Sequence, residues 1–197
     1  TDEIGVFRMD EHGLIEVPDS ARLFLSTSST NQPGLVVFPA QEGKRTILLE
    51  IQSLITPSYL GVPRRTFTGL DYNRVNLVLA VIEKKLRMNL ASRDIYFNVA
   101  GGLKIAEPGV DLAIAIASIS SYKDIPAVSN TVFIGEIALT GEIRPVQHIV
   151  SRLKEALRLG FRQAFIPLGS EITSFPGMNI VEVSWLGDLP SLAFEKG

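Results

Sequence analysis

The run Glu107-Pro108-Gly109-Val110-Asp111 stands between the double glycine Gly101-Gly102 and a helix rich in alanine and isoleucine, and it outlines the mouth of an active site. The reactive side chain is hard to find there. Cysteine is absent, which removes disulfides, thiolate nucleophiles and thiolate metal sites at once. With His12 and His148 as the only histidines, zinc would have to lean on carboxylates, and no metal site is expected. Neither histidine suits a Ser-His-Asp arrangement, because His12 lies in a turn between strand-like runs and His148 follows Pro145 near a helix start. Both read as surface histidines. The sequence holds no G-x-x-x-x-G-K-[ST] phosphate loop, so ATP hydrolysis by this segment alone is not expected. Gly101-Gly102 lacks the G-x-G-x-x-G context of a dinucleotide site and reads as packing glycine. G-x-S-x-G and H-E-x-x-H are also missing. The inventory leaves a serine-lysine pair, in which a lysine of lowered pKa takes the serine proton and backbone N–H groups of a turn receive the oxyanion.

The elements that must position such a site can be read from periodicity. "EIGVFRM" and "LIEV" flank the turn "DEHG", and "GLVVF" and "RTILLEI" flank "PAQEGK", which reads as paired strands. The loop "TPSYLGVPRRTFTG" follows. Asp71 caps a helix over "YNRVNLVLAVIEKKL", where Val75, Leu79, Ile82 and Leu86 recur at helical spacing and Lys84, Lys85 and Arg87 gather near the end. "DIYFNVA" is a strand. The helix starting near Gly109 to Asp111 is apolar all round and must be central, with Asp111 favouring its N-terminus through the helix dipole. "TVFIGEIAL" reads as a strand, "TGEIRPV" as a turn and return, and "QHIVSRLKEALRLGF" as a helix closed by Gly160. "QAFIPL" and "NIVEVSWL" are further strands, and "SLAFEKG" is expected to fray. Strands alternating with helices imply an α+β or α/β layered domain, with no internal repeat.

Composition sets the frame. A chain of 197 residues fits one domain, and a globule this size buries roughly 70% of its unfolded surface. Hydrophobic residues at 46% and charged residues at 20% describe a globular chain, while a mean hydropathy of +0.23 points to apolar surface buried between subunits. A net charge of -2 gives no global pull toward nucleic acid, so DNA binding would need a local basic patch. No apolar run reaches the roughly 20 residues of a membrane span and no signal peptide is evident, so no membrane partner and a cytoplasmic address are expected. The start at Thr1 suggests a piece of a longer protein.

Several separate blocks, in order, carry a family resemblance. "GGLKIAEPGVDLAIAIA", "FIGEIALTGEIRPV" and "RLKEALRLGFRQAFIP" resemble successive parts of the Lon-type protease domain. More closely they are similar to the C-terminal Lon-like domain of the bacterial RadA (Sms) DNA repair family, as are "TDEIGVF", "PRRTFTGLDYNRVNLVLAVIEK" and "DIYFNVAGGLKIAEP". The likeness runs from Thr1 to about Pro167. It implies an α+β fold of layered sheet and helices, like the Lon proteolytic domain and ribosomal protein S-five domain two. Residues 1–197 would form a single domain, with 1–17 the junction from a missing RecA-like ATPase. In active Lon proteases the serine follows a proline and precedes Ala-Gly; here Gly109 stands at the serine position and Asp111 at the glycine. Lys154 matches the dyad lysine. The resemblance thus implies a degenerate site at Gly109 and Lys154 and no proteolysis. It also implies a hexameric ring, contact with single-stranded or branched DNA, cooperation with RecA recombinase and ATP-driven branch migration. ATP, Mg and Zn would belong to missing N-terminal domains, leaving no cofactor in this chain.

The cations suggest where DNA would lie. Arg64 and Arg65 interleave with Tyr59 and Phe67, and Arg74 follows on the first helix, a pattern suited to phosphate contact and base stacking. Arg158 and Arg162 stand at the end of the "RLKEALRLGF" helix, with Arg152 and Lys154 earlier. The bland alternative is that these arginines complement the helix dipole or pair with carboxylates such as Glu50 or Asp71, and that Lys154 is a solvated helix cation. Lys44 and Arg45 read as hairpin charges and Lys104 as a weaker candidate. Three functions stand: a DNA-binding ring domain, a ring domain without DNA contact, and a residual peptidase using Ser118 or Ser151.

Overall fold

A helix with no polar face can exist only where neighbours cover every side, and α2 (Asp111–Lys123) is such a helix: each residue from Asp111 to Ser120 is buried. Ala113, Ala115 and Ala117 alternate with larger residues and let the sheet and other helices approach closely. In this computed structural model the described residues are 7–10, 13–16, 25, 31–59 and 61–194. His12 lies outside them, as do most of the supposed junction and residues 195–197 of the expected fraying end.

Around α2 lies a mixed seven-stranded sheet of order β11-β10-β7-β3-β4-β6-β5. Its strands are β3 (Leu35–Glu42), β4 (Arg45–Pro57), β5 (Arg65–Thr68), β6 (Arg93–Val99), β7 (Thr131–Phe133), β10 (Gln163–Pro167) and β11 (Asn179–Val183). β3, β4 and β6 pair antiparallel, whereas β3 with β7, β7 with β10, β10 with β11 and β5 with β6 pair parallel. The helices are α1 (Tyr72–Leu86), α2, α3 (Ile149–Arg158) and the short α4 (Leu189–Leu192), and the whole is an α/β arrangement. The two-stranded sheets are β1 (Phe7–Asp10) with β2 (Gly13–Glu16), and β8 (Glu136–Ile137) with β9 (Ile143–Arg144). Among the described residues no helix is long and apolar enough to cross a membrane.

Local chemistry explains the boundaries. Asp71 accepts the Arg74 N–H at 2.8 Å and starts α1, and Val75, Leu79 and Ile82 bury its inner face. Gly160, at φ 101°, ends α3 with paired bonds from Phe161 N–H to the Ala156 carbonyl and from Gly160 N–H to that of Leu157, the Schellman pattern.

Three expectations change. The turn between β3 and β4 is Gly43-Lys44 rather than "PAQEGK", and Pro39 lies within β3. Beyond the Val37–Val132 pairing, β3 has no strand on its β7 side, so an imino residue there removes no ladder bond. "TVFIGEIAL" breaks into β7 and β8 because Gly135 turns inward: its N–H donates to Gly109 and its carbonyl accepts from Leu112. A Cβ on Gly135 would come within 2.9 Å of Ile143. Finally, Arg65–Thr68 is an edge strand rather than loop.

Burial differs along β4. From Leu48 to Ile51 both faces are covered, and α2 and α3 both contact this strand. Past Ile51 burial alternates, with Ser53 and Ile55 inside and Gln52 and Leu54 outside. Among the described residues the sheet therefore has an open face over β4, β6 and β5.

Candidate functional site

The entrance to α2 is built by Pro108–Val110, a single 3-10 turn in which Gly109 is buried. A Cβ at Gly109 would meet Val146, Phe38 and the Glu107 carboxylate at 3.5, 3.6 and 3.7 Å, ordinary contact distances, so the position has room for a small side chain. Three backbone donors that follow Gly109 are already committed. Asp111 N–H donates to Pro108 and Val110 N–H donates to Glu107, while Leu112 N–H donates to the Gly135 carbonyl at 3.0 Å. A helix N-terminus attracts anions through unpaired N–H groups. Here β7 to β8 supplies a carbonyl instead, leaving these donors unavailable to an oxyanion.

Two ion pairs lock this turn. Asp111, 1% exposed, accepts from Arg74 Nε at 2.6 Å and Nη2 at 2.7 Å, and from the Ile137 N–H at 3.0 Å. Its carboxylate thus joins α1, α2 and β8 rather than capping its own helix. Burial pushes the Asp111 carboxyl above its ordinary value, against the pull of Arg74 and the Ile137 N–H. Burial also opposes the charge on Arg74, yet its hydrogen bonds and attraction to Asp111 prevail and raise its pKa. Both shifts can hold, since burial penalises the almost enclosed carboxylate more than the guanidinium, which keeps some water.

The second pair closes the free edge of β3. Arg152, 2% exposed, donates to the Pro39 and Gln147 carbonyls and to both oxygens of Glu107, while Glu107 accepts the Gln41 N–H at 2.7 Å. The Arg152 guanidinium lies 5.5 Å from the Phe38 ring centroid. Side chains therefore complete the hydrogen bonding of β3 where β7 stops. This pair escaped the sequence reading, which grouped Arg152 with surface cations. The signal was present: Arg152 falls on the α3 stripe with Ile149, Leu153 and Ala156.

The other candidates separate. Lys154 is exposed, and Arg152 is the α3 cation that reaches the turn. Ser118 is fully buried and donates to the Ile114 carbonyl, and Ser151 donates to that of His148. Arg74 leaves the supposed basic surface for Asp111. Arg158 pairs with Glu155 at 2.8 Å. Arg162 lies beyond α3 rather than on it, and donates to the Leu157 and Phe161 carbonyls, complementing the helix end. Lys44 and Lys104 are exposed.

Arg64 and Arg65 divide although they are neighbours. Arg65 reaches Asn76 on α1 at 2.7 Å, so it ties β5 to the layer beneath. The Arg64 backbone N–H donates to Asp94 at 2.8 Å and its carbonyl accepts from Ile95, but its exposed guanidinium has no hydrogen-bond partner among the described residues. The backbone N–H of Arg64, then the Ser58 hydroxyl, hold the Asp94 carboxyl below its ordinary value, fixing the loop to β6. Tyr59 and Val62 on this loop are 92% and 79% exposed. Among the described residues no group of three or more His, Asp or Glu could hold a metal ion.

The family model described as subunit ChlI of Mg-chelatase matches residues 68–170, just over half of the chain and including α1, the α2 entrance and α3. The chain belongs to that family. Relatives named DNA repair protein RadA match more widely. The Brucella abortus protein is 46% identical over 96% of the chain and 41% of its own length. That of Streptococcus pyogenes is 43% identical over 98% of the chain and 43% of its own length. That of Bacillus subtilis is 47% identical over 85% of the chain and 36% of its own length. The chain is thus RadA-related and spans about two fifths of the length of these curated relatives. The matched residues 68–170 include the enclosed α2 entrance and β6, whereas β4 lies before them.

Proposed function

We propose that this chain is a nonproteolytic, Lon-like domain of a RadA-type DNA repair protein, acting as a ring-forming and DNA-contacting platform. The observation that carries this reading is the match of 96 to 98% of the chain to relatives named DNA repair protein RadA. The longer parent would be a DNA-dependent ATPase that cooperates with RecA in branch migration, its ATP, Mg and Zn sites lying in other domains. The consumed donors at the α2 entrance, together with glycine at 109, favour a turn kept as architecture rather than for acyl transfer. Exposed Arg64 favours phosphate contact at the loop before β5.

The test is binding of single-stranded and forked DNA across a salt series. Affinity should fall steeply with salt, and Arg64→Ala should reduce the slope of log K against log salt by about one, since each lost phosphate contact releases fewer counterions. Binding that is absent, or indifferent to salt, would reject a DNA platform. A ring domain without DNA contact gains support from the internal pairing of Arg74, Arg158 and Arg162, and hexamers that ignore both DNAs would select it. A residual peptidase gains nothing from buried Ser118 or carbonyl-bonded Ser151.

A further inference from the structure

Resting on that reading, we infer that the uncovered face of β4, β6 and β5 is a stacking platform for single-stranded DNA, with Tyr96 at its centre. The register aligns Leu54, Tyr96 and Thr66 in one row and Gln52, Asn98 and Thr68 in the next. All of these are exposed except half-buried Tyr96, and Leu54 is 59% exposed. Adjacent strands lie about 4.8 Å apart, so the rows form a surface about 10 Å across, with the tyrosine on its middle strand. The Asn98 amide donates to Gln52 at 3.3 Å, and the pair presents its remaining amide groups outward.

Charge complementarity selects the occupant. The acidic residues on this face are Glu50 and Asp94, which are 5% and 9% exposed, and Asp94 is occupied by the Arg64 backbone. The outward residues of the two rows are neutral, and the exposed Arg64 guanidinium stands just before β5, on the loop that also carries exposed Tyr59. Both carboxylates of the face are buried, so the exposed charge that a polyanion meets is that of Arg64. An aromatic ring among amides and hydroxyls offers a base a π-face and its edges polar partners, whereas a protein partner would favour a broader apolar centre. A duplex hides its base faces and could use only Arg64. Single strands are therefore the matching class.

The experiment titrates the chain with a fluorescein-labelled oligothymidine of about twenty nucleotides and with the corresponding duplex. Tyr96→Ala should weaken the single strand by about tenfold, while Tyr96→Phe, which keeps the ring, should bind within about twofold of the parent. Tyr96→Ala should change duplex binding by less than about twofold and leave the salt slope intact, because no phosphate contact is lost. Unchanged unfolding by urea would show that the variant folds, and an oligothymidine bearing 5-iodouracil should crosslink to Tyr96 in the parent chain. Single-strand affinity untouched by Tyr96→Ala overturns the platform yet leaves a DNA-contacting domain standing. Loss of self-association with unchanged DNA binding assigns the face to a second copy instead. Failure of the parent chain to bind any DNA removes both this inference and the reading on which it rests.

Discussion

At the entrance to α2 the turn's charges and helix-starting N–H groups are satisfied within the chain, whereas across β4, β6 and β5 the covering layer stops and polar groups face outward. Both regions use arginine, and the contrast is clearest in what the guanidinium meets. Arg74 and Arg152 hydrogen-bond carboxylates and are enclosed or partly enclosed; Arg64 is held by its backbone, while its guanidinium acts on Asp94 only through space and stays exposed. A cation in a sequence cluster is therefore a candidate for a partner molecule only after internal carboxylates and carbonyls have been assigned.

The largest effect should come from Arg152→Ala. Removing one member of an enclosed pair leaves Glu107 and the Pro39 carbonyl uncompensated, with an expected loss of about 3 kcal/mol in urea unfolding. A loss below about 0.5 kcal/mol would show that β3 does not need this edge. Next in size, Arg65→Ala should cost about 1 kcal/mol through its bond to Asn76, while Arg64→Ala stays within about 0.5 kcal/mol. Equal losses would erase the distinction between the neighbours. Gly109→Ser should fold within about 1 kcal/mol of the parent, because the added Cβ meets only ordinary contacts, and should form no adduct with a fluorophosphonate. A covalent adduct on that serine would mean that the turn can still receive an oxyanion.

The smallest effects concern pH, and the two regions should respond with opposite sign. The Asp94 carboxyl lies below its ordinary 3.8, so its contribution to stability is present above that value and is lost as pH falls through the depressed one. The Asp111 carboxyl lies above 3.8, so its contribution is fullest below that value and declines as pH rises through the elevated one. Carboxyl carbon NMR should find Asp94 titrating at lower pH than Asp111; the reverse order would break the comparison.

Much of the fold was legible because its signals are local. The Asp71 cap, the Val75, Leu79 and Ile82 stripe and the apolar α2 require only spacing and burial. The split of "TVFIGEIAL" was not legible, since it depends on Gly135 bonding to Gly109 and Leu112, which are distant in sequence. Asp111 was visible as a helix-start acid, but its partner Arg74 lies 37 residues away and only the packing of α1 on α2 brings them together. The open face was written in the alternation of Ser53 and Ile55 with Gln52 and Leu54, yet nothing local says which face a helix leaves bare.

The most direct test of the account is hydrogen-deuterium exchange of the chain with and without a saturating single-stranded oligonucleotide. The account predicts slowed exchange in the segments around Leu54 to Tyr59, Arg64 to Thr68 and Asp94 to Asn98, with no change from Glu107 to Leu112. Protection confined to Glu107 to Leu112 and α3, with the open sheet face unchanged, would contradict it.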